Sequence, residues 1–167
     1  MFISHKKLKI GYFDAHPALV SAEKIHLENQ FQALSDYELT ELKSLAQIDP
    51  TQLDLLVVRI GLVDEKETLK WLKGFVSKMS ASDSVWVPAL VLASGFELND
   101  IKELFEYAYP QNYYFDIFSG ERFEDLAIRG ANLVRLHEHM MELERYQKEV
   151  AELQKRVEDI ESKLDKK

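Results

Sequence analysis

The sequence predicts an α/β protein, a doubly wound five-stranded parallel sheet whose last helix is extended into a coiled coil. Three observations predict it. Short apolar runs alternate with amphipathic stretches up to about Phe118. The run Leu53 to Ile60 is apolar almost throughout, as a strand buried on both faces requires. From Arg122 onward there is no proline, the only glycine is Gly130, and charge dominates, which reads as one long helix.

The elements follow in order. Ile10-Gly11-Tyr12-Phe13 is a short strand ending at Asp14. Ala18 to Leu34 is a helix with Val20, Leu27, Phe31 and Leu34 on one face, and Pro17 suits its first turn, where a missing N–H costs little. Tyr37 to Glu41 reads as the second strand and Leu42 to Ile48 as a short helix, broken by Asp49-Pro50. Leu53 to Ile60 is the third strand, and Lys66 to Met79 a helix with Leu69, Leu72, Val76 and Met79 in register. Val85 to Ala93 is the fourth strand. Asn99 to Tyr109 is helical through Ile101, Leu104, Phe105 and Ala108, and Asn112 to Phe118 is the fifth strand. In an open parallel sheet the functional crevice lies at the carboxyl ends of the strands. Those ends are Asp14-Ala15, Arg59, Ala93-Ser94 and Asp116.

Composition narrows the function. The net charge of −8 disfavours nucleic acid and anionic membrane surfaces, both of which call for a basic face. It makes a basic protein partner more fitting than an acidic one. Cysteine is absent, so thiolate chemistry and disulfides are excluded. The N-terminus carries no apolar run of signal-peptide length, and no stretch approaches the ~20 apolar residues of a membrane span. The expectation is a cytoplasmic protein. His137-Glu138-His139 is no metal site, because helical residues two apart point to different sides. His16 and His26 have no nucleophile nearby in the inferred fold, and Asp64, Glu65 and Glu97 read as solvated loop charges. No glycine-rich phosphate loop, zinc spacing or catalytic triad is present. The reading is therefore of a chain with no catalytic residues, no metal and no cofactor.

Four segments in order carry a resemblance. Leu8 to Pro17, ending Asp14-Ala15-His16-Pro17, resembles the first strand of response-regulator receivers, which usually ends Asp-Asp-His-Pro. Asp54-Leu55-Leu56-Val57-Val58-Arg59-Ile60 resembles their third strand, where the phosphoacceptor aspartate follows four apolar residues. Pro88 to Ser94 resembles the fourth, and Tyr113-Tyr114-Phe115-Asp116-Ile117-Phe118 the fifth, usually Tyr-x-x-Lys-Pro-Phe. The chain is thus similar to the CheY-like receiver superfamily over residues 7–136. The resemblance implies a flavodoxin/CheY-like sheet of order 2-1-3-4-5 and a place in two-component signal transduction.

The departures fall on the chemistry the resemblance implies. Receivers hold Mg²⁺ on acids after the first strand and a phosphoryl group on the third-strand aspartate, with a fourth-strand hydroxyl and a fifth-strand lysine on its oxygens. Here Asp14 survives, but its acidic neighbour is Ala15, the acceptor position is Arg59, the hydroxyl position is Ala93, and the lysine position is Asp116. Arg59 offers no carboxylate and would repel a divalent cation, so this is a degenerate phosphorylation site. Because the acidic centre became basic and the basic flank acidic, Arg59 is expected to pair with both Asp14 and Asp116. Tyr113 stands at the switch-aromatic position, although an ordinary half-buried strand-end tyrosine is the plainer account.

The tail, residues 137–167, is continuous with the last receiver helix. Leu136, Leu143, Val150, Val157 and Leu164 stand seven apart at heptad position a, with His139, Tyr146, Leu153 and Ile160 at d. Such a helix buries nothing alone and calls for a partner strand. Val150 and Val157 at a with Leu153 at d lean toward a parallel homodimer, in which Arg156 would face Glu161. The competing account is a helix folded back on its own domain.

The functional expectation is a dimeric pseudo-receiver acting as a protein-protein interaction scaffold of the polarity or motility type. By resemblance, its docking face spans residues 99–109, 113–118 and 122–135. Two alternatives stand beside it. One is the regulatory part of a larger signalling enzyme such as a diguanylate cyclase, which an end in mid-helix favours. The other is an active receiver with Asp14 or Asp116 as substitute acceptor.

Overall fold

The computed structural model of the chain describes residues 7–15, 22–34, 36–44, 48–49, 51–60, 65–80, 87–93, 98–108, 114–118 and 125–164. These form β1 (Leu8–Asp14), α1 (Ala22–Leu34), β2 (Tyr37–Leu42), β3 (Leu55–Ile60), α2 (Glu65–Ser80), β4 (Ala89–Ala93), α3 (Leu98–Ala108), β5 (Phe115–Phe118) and α4 (Leu126–Leu164). The five strands make one sheet in the order β2-β1-β3-β4-β5, and every pairing is parallel. The doubly wound class and strand order are those expected.

Side-chain alternation splits the core in two. On one face Leu8, Ile10, Tyr12, Leu55, Val57, Leu90, Leu92 and Phe118 pack with Leu27 and Phe31 of α1 and with Leu126, Ala127, Leu133 and Val134 of α4. On the other face Leu56, Val58, Ile60, Ala89, Val91 and Ala93 pack with Leu72, Phe75, Val76 and Met79 of α2 and with Leu104 of α3. Every residue of β3 and β4 is buried, which is why these strands, Arg59 apart, are apolar without alternation. At the sheet edge, β2 alternates half-buried and exposed positions over most of its length.

Aromatic and polar contacts fasten the α2–α3 layer. Phe13, Trp71 and Phe75 stack in a ladder, with centroids 6.0 and 5.6 Å apart and planes within 5°. Lys73 Nζ lies 2.5 Å from Glu103 and over the Tyr107 ring, and Ser77 hydrogen-bonds the Tyr107 hydroxyl. Gly11 gives β1 its close approach to the chain before β3, since a Cβ there would lie 2.7 Å from Leu53 Cδ1.

Two expectations are corrected. The short helix from Leu42 to Ile48 is not helical at any described residue. Leu42 is the last residue of β2, paired with Phe13, and Lys43 and Ser44 bend away. Strand pairing with β1 outcompetes a local helix that would bury little. The chain then turns at Asp49, whose carboxylate accepts from the Thr51 N–H and hydroxyl and from the Gln52 amide. The Thr51 contacts hold its pKa below the ordinary value. In α3, Leu104 is fully buried but Phe105 is 45% exposed, and Tyr107 takes the inward position in its place. Phe105 instead lays its ring on Phe115, at 5.2 Å between centroids.

The chain divides into two compact units, Met1–Val134 and Arg135–Lys167. Among the described residues, no helix is long and apolar enough to cross a membrane.

Candidate functional site

The row of residues closing the sheet at its carboxyl edge runs Asp14, Arg59, Leu92, Phe118 across β1, β3, β4 and β5. Parallel neighbours in register point to the same side, so all four face the α1–α4 layer. Arg59 is the buried charged residue of this row, and its Nη1 donates to Asp14 Oδ2 at 3.1 Å. The side chains of the pair are only 11% and 14% exposed. Ala15, beside Asp14 at the end of β1, donates its backbone N–H to the carbonyl of Arg59 at 2.9 Å. The centre of the edge is therefore a neutralised pair, tied by backbone as well as by side chain.

Asp116 is not part of that pair, contrary to the expected trio. It lies in register with Leu90, two residues before Leu92 and Phe118, so it stands two strands across and two residues back from Arg59. Its carboxylate instead accepts from Arg129 Nη1 at 2.9 Å. The Arg129 guanidinium lies over the Phe118 ring, 5.6 Å from its centroid, and so reaches Asp116 from α4. The site therefore carries two separate arginine–aspartate pairs, one nearly buried and one with side chains 41% and 34% exposed. Arg129 was missed in the sequence. Its signal was present: Asp116 shares the parity of Phe118, which points it at the α4 layer, and Arg129 is the arginine of the first turns of α4.

Ala93, the expected hydroxyl position, pairs with Ile60, one residue beyond Arg59. It is buried in the opposite α2–α3 core, where it cannot reach the Arg59 side chain. Tyr113 and Ser94 lie outside the described residues. Among the described residues, no cluster of three or more His, Asp or Glu side chains could hold a metal ion.

In the tail, the heptad residues form one exposed stripe. Leu143 is 60% exposed and Val150 52%, and Leu136, Tyr146, Leu153, Val157 and Ile160 are similarly open. Leu164 ends α4, and its side chain lies outside the described part.

No family model matches the chain, and no curated protein matches it. Among solved structures it is similar to a flavodoxin of Streptococcus pneumonia TIGR4, at 12% identity and a TM-score of 0.43, over 78% of this chain and 99% of that one. It is similar also to the homoserine dehydrogenase of S. aureus, at 13% identity and a TM-score of 0.42. That match covers 67% of this chain and 32% of the enzyme, so the chain spans about a third of the enzyme's length. The class rests on the chain's own architecture: a doubly wound α/β domain of strand order 2-1-3-4-5 that sets two arginine–aspartate pairs at or near its carboxyl edge.

Proposed function

We propose that this chain is a receiver-like interaction module that does not accept a phosphoryl group and that presents its docking surface as a homodimer. The observation that carries the reading is the pairing of Arg59 with Asp14. A receiver needs an acidic, partly hydrated centre that holds Mg²⁺ and offers a carboxylate nucleophile. Here the centre is a guanidinium, and the Asp14 carboxylate beside it already accepts from that guanidinium. A divalent cation entering this edge would meet like charge at short range in a partly desolvated setting, where Coulomb repulsion is strong. What remains useful is the surface. Phe105 and Ile128, 45% and 52% exposed, belong to the face made of α3, β5 and the start of α4. The tail supplies the second copy, because a helix with an exposed apolar stripe gains by burying it against another.

Two measurements test the reading. The intact mass of the protein after acetyl phosphate and Mg²⁺ is expected to stay unchanged, and a stable adduct of one phosphoryl group would sink the claim of a silent site. Light scattering is expected to give twice the chain mass for the native protein and the single-chain mass for Val150→Glu with Leu153→Glu. A native monomer would remove the dimer from the reading.

A further inference from the structure

The tail's flanking charges say which way round its partner lies, and this inference rests on the proposed dimerisation through the tail. The a/d stripe of α4 is bordered by positions g and e. Position g carries Glu142, Glu149, Arg156 and Lys163 in order, and position e carries Met140, Gln147, Gln154 and Glu161. The charged members, Glu142, Glu149, Arg156, Glu161 and Lys163, are all exposed. Glu142 lies 3.9 Å from His139 and Glu149 lies 3.7 Å from Arg145 Nε, loose contacts on the same helix. Arg156 and Lys163 make no ion pair among the described residues.

In a parallel pair each g residue meets the e residue five positions on in the second copy. That gives one attractive kind of contact, Arg156 with Glu161, and leaves Glu142 and Glu149 facing glutamines. Turning the second copy end for end places a opposite d and brings flank g beside flank g. The series acid, acid, base, base is then complementary to itself. Glu142 meets Lys163 of the second copy, Glu149 meets its Arg156, and symmetry repeats both contacts. No like charges meet on the e flank.

The same register fixes the core. It sets Leu143 against Ile160, Val150 against Leu153 and Tyr146 against Val157, so that each larger side chain meets one of equal or smaller bulk. A slip of one heptad loses charge complementarity, because one direction sets Arg156 against its own copy and the other sets Glu149 against its own. The centre of this register falls between Ala151 and Glu152, at the middle of the unit Arg135–Lys167.

We infer that the exposed stripe of α4 is closed by a second copy of this chain in antiparallel orientation, with Glu142 and Glu149 opposite Lys163 and Arg156. This reverses the orientation that the branched residues at a suggest. At a dimer with few polar core positions, the flanking charges are the larger source of orientational preference.

The chain has no cysteine, so introduced thiols report on the register directly. Full-length Leu143→Cys and Ile160→Cys proteins are oxidised separately and after mixing, alongside light scattering of the unsubstituted chain. The expected result is a covalent dimer from the mixture and little from either variant alone. In a parallel dimer each variant would cross-link to itself and the mixture would form no 143–160 bridge, since those positions would lie ~25 Å apart along the helix; that result overturns the orientation while leaving the dimer. A monomeric unsubstituted chain overturns the dimer itself, and the orientation with it. A second test needs no disulfide. Arg156→Glu is expected to raise the dimer Kd by about tenfold, and adding Glu149→Lys to restore it. Failure of that rescue in a protein of unchanged fold overturns the inference, because a parallel dimer has no contact between residues 149 and 156.

Discussion

Arg59 and Arg129 each pair with an aspartate, yet they contribute differently. Arg59 and Asp14 are nearly out of water, so removing one partner strands the other's charge. For a buried pair that costs ~3–5 kcal/mol, and the residual exposure of 11% and 14% places Arg59→Met at about 3 kcal/mol by urea denaturation. Arg129 and Asp116 keep contact with solvent, so screening leaves Asp116→Asn a cost of less than about 1 kcal/mol in the same experiment. Equal losses at the two sites would mean that the edge does not desolvate Arg59 as its burial indicates. Asp14 and Arg59 were legible in the sequence because each ends a recognisable apolar strand, and their contact follows from β1 and β3 being neighbours. The partner of Asp116 was not legible, because it depends on the register between β4 and β5 and on which helix covers that face.

At the scale of elements, two glycines in helices have opposite meanings. Gly74 sits in α2 with nothing within 4 Å of where a Cβ would go. There Gly→Ala reduces backbone freedom in the unfolded chain and adds no clash, so Gly74→Ala is expected to stabilise by about 1 kcal/mol. Gly130 in α4 lies against the sheet and α1, where a Cβ would stand 2.8 Å from Leu55 Cδ2 and 2.9 Å from Phe31 Cζ. Leu55 and Phe31 are fully buried and have nowhere to go. The overpacking cost of ~1–3 kcal/mol then exceeds the propensity gain, and Gly130→Ala is expected to destabilise by roughly 1 kcal/mol. Thermal melts of the two variants should shift in opposite directions. Helical periodicity alone could not separate these glycines, just as it could not choose between Phe105 and Tyr107 as the inward residue of α3.

For the whole molecule, the two units draw stability from different sources. Unit Met1–Val134 holds both core clusters of the sheet. The heptad stripe of unit Arg135–Lys167 is exposed, and an isolated helix of that kind is marginal in water. Its helicity should therefore depend on protein concentration while that of the first unit does not. Circular dichroism at 222 nm is expected to fall on dilution through the dimer Kd. Near-ultraviolet signals from Trp71 and its stacked neighbours should stay constant. A far-ultraviolet signal independent of concentration, at levels where light scattering shows monomer, would mean that the tail is helical without a partner.

The sequence by itself determined the class of fold, the succession of its five strands and of four of its helices, the presence of Asp14 and Arg59 at the carboxyl edge of adjacent strands, and the heptad stripe of the tail. All of these are carried by local patterns: apolar runs for buried strands, periodicity for helices, and residue identity at strand ends. The tertiary structure alone decided that Leu42 extends β2, that Ala93 faces the α2–α3 core, and that Asp116 belongs to Arg129. Each depends on a register between strands distant in sequence, and a shift of one residue along a strand moves a side chain to the other face of the sheet.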